Sequence, residues 1–583
     1  LMNRNTELHF SQTPKIELKR SKFEMSHSIK TTFNTGDIVP LFVDADILPG
    51  DTVQMDMAEM IRMATPIYPV CDNAYADIYW FFIPNRLLWD HWQAFWGEND
   101  DPWTQTTEYE IPQIEAPTGG WTEGTIADYM GIPTKVDGFT INALPFRAYA
   151  KVVSDWFRDE NLKYSCHLYT DDTTRTGQTG SEADYSYVTG TELGGAPCKA
   201  AKFHDYFTSA LPEPQKHDPI SINIDGGLYP VSAGTENHIN IGDNLNAVKV
   251  LQRNKTTGLA EAVKPNISST TYNDVYLGKT AQSGNADFTS GYGPVSNTNI
   301  TESYYEAITP INLYADLSNA TVMTINQLRT AFAIQKYYEN AGLHGTRYIE
   351  YLRGVFGVTS SDARLQRSEY LGGQRIPINM DQILQTSATD NQPTPLGNTS
   401  GFSCTINQDS MFTKSFEEHG VLMCLATIRT DHTYQQGLNK MWTRKKWLDY
   451  YNPFFANLGN QAILNKEIYL QSNSVVDTDG NVINDQAFGY QEAWAEYRYK
   501  NNICTGYMRS NATGSLDVWH YADDYSSLPY LSADWIDETK ENVDRTIAVT
   551  SQLTHQFIAD VFFKCYYTRP MPVYSVPGLI DHV

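Results

Sequence analysis

Strand-like hydrophobic patterns lie far apart along the chain. Four segments are rich in β-branched or aromatic residues, and they span positions 38–43, 75–83, 421–429 and 557–567. In the last segment the apolar residues Val561, Phe563 and Cys565 recur at every second position, which is the period of a strand. The intervening positions include Phe562, so we predict that both faces of this strand are largely buried.

Helical periods separate these strands. Four segments carry apolar residues three or four positions apart, and they begin near Asn85, Pro145, Asn326 and Tyr348. Asparagine is a good N-cap and proline suits a first helical turn, while Gly342 predicts the end of the third helix. The faces predicted to be buried contain Leu88, Trp92, Phe95, Trp96, Phe146, Tyr149, Val153, Trp156, Phe157, Leu328, Phe332, Tyr348, Ile349, Leu352 and Phe356. Strands and helices do not alternate regularly, which favours one antiparallel barrel or sandwich with insertions over a string of domains.

The strongest change in composition lies at 225–310. Within 266–300 the charged side chains are Asp274, Lys279 and Asp287, and Asn, Thr, Ser, Gly and Tyr dominate the remainder. Such residues serve turns and short strands, so we predict a surface insertion. A recognition role and a passive loop are equally compatible with this composition.

Composition and charge narrow the function classes. The 583 residues are 41% hydrophobic and 13% aromatic, which is typical of a packed protein rather than a disordered one. The formal charge of -25 means that any contact with a polyanion must be a local patch. Seven scattered cysteines argue against a full disulfide framework, although one bridge stays open. The chain shows no secretion signal and no apolar stretch of membrane-spanning length, so we expect a soluble protein made in a cytoplasm.

Motifs that carry catalysis are missing from the sequence. It contains no HExxH, no GxSxG and no close Cys/His quartet. Glu492 and Glu496 beside Trp494 raise the alternative of a carbohydrate-binding or glycoside-hydrolysing protein, but carboxylates one helical turn apart cannot straddle a sugar bond. The aspartates around 44–51 could bind a cation, but a solvated loop explains them better, because closely spaced aspartates commonly serve turns. We therefore predict no enzyme activity, no cofactor and no metal site.

Two basic segments stand out against the acidic background. The first interleaves cations with indole rings, a combination that pairs with phosphates and stacks on unpaired bases. Its candidate contacts to single-stranded nucleic acid are Lys440, Trp442, Arg444, Lys445, Lys446 and Trp447. A surface loop with inward-packed tryptophans is the alternative. The second segment contains Lys15, Lys19, Arg20, Lys22 and Lys30, and its alternating pattern equally permits an edge strand protected by lysine.

Long blocks of the chain resemble the major capsid proteins of gokushoviruses, the small single-stranded DNA bacteriophages of the Microviridae. The block at 44–96 begins DADILPGDTVQMDMAEM, the block at 345–373 reads GTRYIEYLRGVFGVTSSDARLQRSEYLGG, and the block at 416–444 begins FEEHGVLMCLATIRTDH. Shorter blocks at 144–149, 156–162, 204–216 and 490–500 are also similar to that family. The resemblance covers most of the chain apart from the insertion and some loops.

The resemblance implies a mainly β fold, an eight-stranded antiparallel jelly roll with long helix- and loop-containing insertions. It implies a structural subunit that assembles with copies of itself into an icosahedral shell with one subunit per asymmetric unit, around circular single-stranded DNA. Expected partners are that genome, the internal scaffolding and DNA pilot proteins of the phage, and a receptor on the bacterial surface. The expected location is the virion, assembled in the host cytoplasm.

The same resemblance implies roles for the insertion and the basic patches. Residues 225–310 occupy the place of the variable protrusion that family members build near the threefold axes and that is thought to contact the host. Within it the candidate host contacts are Tyr272, Tyr276, Phe288 and Tyr292. Family capsids place basic and aromatic residues against the genome, which makes the segment from Lys440 to Trp447 the best candidate for DNA contact.

Overall fold

The computed structural model describes residues 19–98, 108–179, 187–218, 325–387, 396–549, 551 and 553–574, together with short strands between 231 and 315. The chain divides into two compact units. One unit contains Leu1–Asp218 and Tyr337–Val583, and the other contains Pro219–Lys336. The predicted insertion at 225–310 falls inside the second unit.

Two antiparallel sheets organise the first unit. Their strands, in chain order, are β1 (Ser21–Glu24), β2 (His27–Phe33), β3 (Val39–Ile47), β4 (Thr52–Met63), β5 (Ala74–Pro84), β6 (Glu369–Pro377), β7 (Thr405–Ser415), β8 (Gly420–Thr430) and β9 (Phe557–Arg569). The first sheet has the order β1-β9-β4-β7, and β2 pairs with β9 on the same side as β1, at the other end of the strand. The second sheet has the order β6-β5-β8-β3.

This strand order is that of a jelly roll. The chain crosses from one sheet to the other between β2 and β3, between β3 and β4, and between β4 and β5. The long 85–368 connection then leads from β5 to its neighbour β6 in the same sheet. The chain changes sheets again from β6 to β7, from β7 to β8 and from β8 to β9. The prediction of an antiparallel β fold with long insertions is confirmed. The four segments predicted as strands are β3, β5, β8 and β9, each extended by a few residues.

The main core lies between the two sheets. Alternate residues of β9, including Phe557, Val561 and Phe563, point into this core with the inward side chains of β4, β5 and β8. The other face of β9 is open, because Phe562 is 45% exposed. Burial of both faces was therefore a wrong prediction for β9, although β8 is buried on both faces.

A helical layer covers the outer face of the second sheet and explains why β8 is buried on both faces. Val421 and Met423 of β8 pack against residues of the helix Leu144–Val152, such as Tyr149. The Tyr149 hydroxyl donates a 2.7 Å hydrogen bond to the Ile38 carbonyl just before β3. Pro145 lies in the first turn of this helix, as its fixed backbone angle favours.

The described α-helices vary from single turns to five turns. They are α1 (Trp92–Phe95), α2 (Ile126–Tyr129), α3 (Leu144–Val152), α4 (Tyr187–Gly190), α5 (Ile325–His344), α6 (Tyr348–Phe356), α7 (Asn465–Ile468), α8 (Ala533–Ile536) and α9 (Glu541–Asp544). A π-helical turn, Val153–Phe157, extends α3. Single 3-10 turns span Asn85–Leu87, Thr191–Leu193, Lys440–Trp442, Trp447–Asp449, Pro453–Phe455, Ile483–Asp485, Ala495–Tyr497, Gly506–Met508 and Asp517–Trp519. No described helix has the length and apolar character needed to cross a bilayer.

Short strand pairs complete both units. Those of the first unit are Gln113–Glu115, Thr140–Asn142, Arg175–Thr176, Met380–Leu384, Thr399–Ser403, Thr433–Tyr434, Asn460–Leu464, Ala487–Glu492 and Asn502–Ile503. In the second unit, Val250–Asn254 lies between Ala260–Ala262 and Tyr305–Pro310, and Val231–Ala233 pairs with Leu313–Ala315.

Several apolar residues predicted to be buried in helices are exposed in the single chain. The helix expected from Asn85 is replaced by a 3-10 turn and the short α1, and Trp96 beyond it lies in solvent. Phe332 of α5 is 63% exposed. Phe95, Trp156, Tyr348 and Phe356 are exposed as well. Periodicity identifies an apolar stripe, but it does not specify which molecule covers that stripe.

Candidate functional site

The segment from Lys440 to Trp447, here called the tryptophan loop, begins with one 3-10 turn and ends at the first residue of a second one, Trp447–Asp449. Asn439 caps the first turn by accepting a 3.0 Å hydrogen bond from the Met441 N–H. Asp449 Oδ2 accepts hydrogen bonds from the backbone N–H groups of Lys445 and Lys446, each at 2.7 Å. These hydrogen bonds lower the pKa of Asp449, so the carboxylate stays ionised and holds the turn together.

The two indole rings of the tryptophan loop face solvent. Trp442 is 71% exposed and Trp447 is 69% exposed. The expectation of inward-packed tryptophans, which was the alternative interpretation, is therefore wrong. Phe454 in the following turn is also almost fully exposed, and Phe455 lies 6.1 Å from Trp447 between ring centroids.

The cations of the tryptophan loop divide into two pairs. Glu496, whose side chain is buried, binds Arg444 at 3.3 Å and Lys440 at 3.7 Å. The Arg444 guanidinium also lies 4.4 Å from the ring centroid of Tyr497. Lys445 and Lys446 are exposed, and no ion pair of either is found within the described part of the chain. Arg444 and Lys440 therefore fix the loop, while Lys445 and Lys446 present positive charge to solvent.

Sequence reasoning missed the role of Glu496. Its partner Arg444 lies 52 positions away, so no local pattern connects the two. Glu496 belongs to the 3-10 turn Ala495–Tyr497, whereas Glu492 ends a strand and binds Arg498. The helical arrangement considered for this carboxylate pair is therefore absent here, and both carboxylates hold cations of the chain itself.

The N-terminal basic segment is only partly described. Lys15 lies outside the described residues, and Lys19 and Arg20 are exposed. Lys22 belongs to β1, at the edge of the first sheet, where its ammonium lies 4.1 Å from the Tyr566 ring centroid. For Lys22 the structure therefore shows the edge strand that was considered as the alternative.

The remaining candidate residues do not form a described site. Tyr272, Tyr276, Phe288 and Tyr292 lie outside the described residues. Among the described residues, no group of three or more His, Cys, Asp or Glu side chains is placed to hold a metal ion.

Two aspartates of the 44–51 segment, Asp44 and Asp51, have side-chain partners within the chain. Asp51 is buried and binds the Arg569 guanidinium at 3.0 Å, and Asp44 accepts a 2.7 Å hydrogen bond from the Tyr567 hydroxyl. A fully solvated loop was therefore the wrong expectation for Asp51. These carboxylates join the 44–51 segment to β9.

A jelly roll with long insertions and an open aromatic surface is typical of a viral coat protein. Comparison with known proteins agrees. The family described as "Capsid protein (F protein)" matches residues 11–579, and the chain belongs to this family of phage capsid proteins.

Three relatives match over nearly their whole length, and each is named capsid protein VP1. The protein of Spiroplasma virus 4 is 40% identical over 99% of this chain and 98% of its own. That of Chlamydia phage 1 is 38% identical over 98% of this chain and 97% of its own. That of Bdellovibrio phage phiMH2K is 39% identical over 99% of both. The chain is thus a structural capsid protein of the gokushovirus type rather than an enzyme, and no finding favours the carbohydrate alternative.

Proposed function

We propose that copies of this chain form an icosahedral shell, with one subunit per asymmetric unit, around circular single-stranded DNA, and that the tryptophan loop contacts this genome. The observation that carries the DNA contact is the pair of exposed indoles, Trp442 and Trp447, beside the exposed Lys445 and Lys446. Unpaired bases stack on aromatic rings with about 1–3 kcal/mol per base, and lysines pair with the phosphates.

The turn geometry supports this contact. Asp449 and Asn439 fix the backbone, and Glu496 fixes Arg444 and Lys440, so little loop entropy is lost when the indoles bind. The formal charge of -25 disfavours DNA binding over the general surface. A local patch that combines charge with stacking therefore suits a genome that the rest of the surface repels.

The contact is tested by DNA content at constant shell yield. In particles of the K445A/K446A and W442A/W447A variants, we expect several-fold less nuclease-protected DNA than in the wild type, with shells of unchanged size in electron microscopy. The control is K135A, which removes an exposed lysine that belongs to neither basic segment. Unchanged DNA content in both loop variants, or an equal loss in the control, would contradict the assignment.

A salt titration separates charge from stacking. Log affinity falls with log salt concentration, and each lost phosphate contact on a single strand makes this slope less steep by about 0.7. K445A/K446A should therefore make the slope for oligonucleotide binding less steep by about 1.4. W442A/W447A should weaken binding and leave the slope unchanged. Loss of shells in either variant would instead assign the loop to a contact between subunits.

We also propose that the insertion at 225–310 forms the protrusion that contacts the host surface. Support comes from its polar, weakly charged composition and from its place within a separate compact unit, Pro219–Lys336. Deletion of 266–300 should leave particle assembly intact and abolish attachment to host cells. Loss of folding would show that the segment belongs to the core. Scaffolding and DNA pilot proteins complete the proposed partners during assembly in the host cytoplasm.

A further inference from the structure

Two buried cysteines meet on the helical side of the first unit. Cys166 Sγ lies 3.8 Å from the Thr191 hydroxyl, and Cys198 Sγ lies 3.2 Å from the same oxygen. Both cysteines are free thiols and both are buried. Although 32 positions separate them in sequence, the two thiols are neighbours in space.

The backbone on either side of the pair is held in place. The Cys166 N–H donates a 3.1 Å hydrogen bond to the Ser154 hydroxyl, and the Cys198 N–H donates one of the same length to the Tyr149 hydroxyl. The Cys198 carbonyl accepts a 2.9 Å hydrogen bond from the Ile38 N–H. Hydrogen bonds from α3, its π-helical extension and the segment that leads into β3 therefore hold the backbone of the pair.

Both cysteines line a cavity. It has a volume of about 630 Å³, and its lining includes Cys166 and Cys198 together with Lys163 and Arg158. Cys424 and Cys565, in contrast, are buried in the core between the two sheets. The pair is thus buried from bulk solvent but open to a space that a small molecule can enter.

The two thiols differ in acidity. Hydrogen bonding to Cys198 is the largest effect on Cys166 and outweighs burial, so that the pKa of Cys166 falls to about 7. The same interaction, together with burial, raises the pKa of Cys198 above its usual value. A thiolate is the reactive form of cysteine, which makes Cys166 the nucleophile and Cys198 the second thiol to react.

We propose that Cys166 and Cys198 form a redox-active dithiol, which a small disulfide such as oxidised glutathione converts into an intramolecular disulfide through the cavity. The Cys166 thiolate attacks one sulfur of the oxidant, whose S–S bond breaks and releases one thiolate. Cys198 then loses its proton to solvent and attacks the Cys166 sulfur, which releases the second thiol. The protein loses two electrons and two protons, and the oxidant becomes two thiols.

The crosslink would join the segment around Cys166 to the segment around Cys198, which pairs with the residues just before β3. Reducing cytoplasm would keep the dithiol open during synthesis, and oxidising surroundings would close it. On the proposed function, closure would follow release of the particle and would lock the helical layer of each subunit without any contact between subunits.

The test uses the full-length wild-type protein in purified particles. After treatment with oxidised glutathione and alkylation of the remaining thiols, peptide mapping without reductant should recover a Cys166–Cys198 crosslinked peptide that dithiothreitol removes. The exposed Cys71 serves as an internal control, because a glutathione adduct there shows that the oxidant was active. Recovery of separately alkylated Cys166 and Cys198 peptides beside a modified Cys71 would overturn the proposal, whether or not the particles contain DNA.

Two variants assign the roles of the thiols. C198S should trap a glutathione adduct on Cys166, whereas C166S should leave Cys198 at least ten-fold less modified in the same time. Equal modification in the two variants, or preferential modification of Cys198, would overturn the assignment of Cys166 as nucleophile. If either variant fails to form particles, brief alkylation of the wild type at neutral pH gives the same comparison, because Cys166 should react first.

Discussion

Replacing Glu59 by glutamine should remove a pH-dependent loss of stability from the interior of the jelly roll. Glu59 lies on β4 and points between the two sheets, where it is 2% exposed. Its Oε1 atom accepts hydrogen bonds from the side-chain amides of Gln374 on β6, at 2.9 Å, and Asn407 on β7, at 2.6 Å. Its Oε2 atom has no hydrogen-bond partner among the described residues.

Burial is the largest effect on this carboxyl group and raises its pKa from 4.5 to about 7, against the two hydrogen bonds that lower it. Because the folded pKa lies above the unfolded pKa, the folded state binds more protons between about pH 4.5 and pH 7. Stability is therefore full below about pH 4.5 and declines as the pH rises through about 7. A shift of about 2.5 units at 1.36 kcal/mol per unit gives a loss of about 3 kcal/mol.

Glutamine resembles the protonated carboxyl group, since its Oε1 can accept both hydrogen bonds while its amide nitrogen replaces the protonated oxygen. Urea unfolding of purified subunits, followed by tryptophan fluorescence at pH 5 and pH 8, measures the difference. We expect E59Q to be more stable than the wild type by about 3 kcal/mol at pH 8 and by less than about 1 kcal/mol at pH 5. The control D560N alters a half-exposed carboxylate on the adjacent β9 and should keep the wild-type pH profile. Parallel pH profiles for E59Q and the wild type would refute this account of Glu59.

Two further predictions concern other buried groups. His432 is buried between Asp523 at 2.9 Å and Glu538 at 3.0 Å. Burial lowers the pKa of His432, but the two carboxylates outweigh this effect and raise the pKa to about 10. The stabilisation should therefore be full below about pH 6.5 and decline as the pH approaches 10. H432Q should cost about 3–5 kcal/mol at pH 6, because it leaves two carboxylates buried together, and urea unfolding at pH 6 and pH 10 would show a smaller difference at the higher pH. F563A should cost about 3–5 kcal/mol of unfolding free energy by opening a cavity in the core, whereas F562A on the open face of β9 should cost less than about 1 kcal/mol; equal losses would contradict the assigned orientation of the strand.

The sequence predicted the β framework well because each strand contains its own evidence. The two-residue period of β9 and the continuous apolar run of β8 are local features of the sequence. They arise because burial of one face, or of both faces, selects apolar residues at those positions. The jelly-roll class came from the family resemblance, and the order of the strands in the sheets came only from the structure, since pairings such as β2 with β9 join distant parts of the chain.

Exposure and charge pairing were harder to predict. The stripe that contains Phe332 has the period of a buried helix, yet it is open in the single chain. Lys440 and Arg444 look like free cations in the sequence because Glu496 lies in a different segment. Pattern reasoning therefore located the tryptophan loop but could not separate the cations that hold it from those that face solvent.

The position of β9 in the middle of the first sheet affects how the protein can be synthesised. β9 separates β1 and β2 from β4, so the N-terminal strands have no neighbour in their sheet until the last part of the chain exists. Thr35 and Gln556, which form a hydrogen bond beside this pairing, are 521 positions apart. The edges of these N-terminal strands therefore stay unpaired until synthesis of the chain is nearly complete. A molecular chaperone that shields these edges should raise the yield of native subunits.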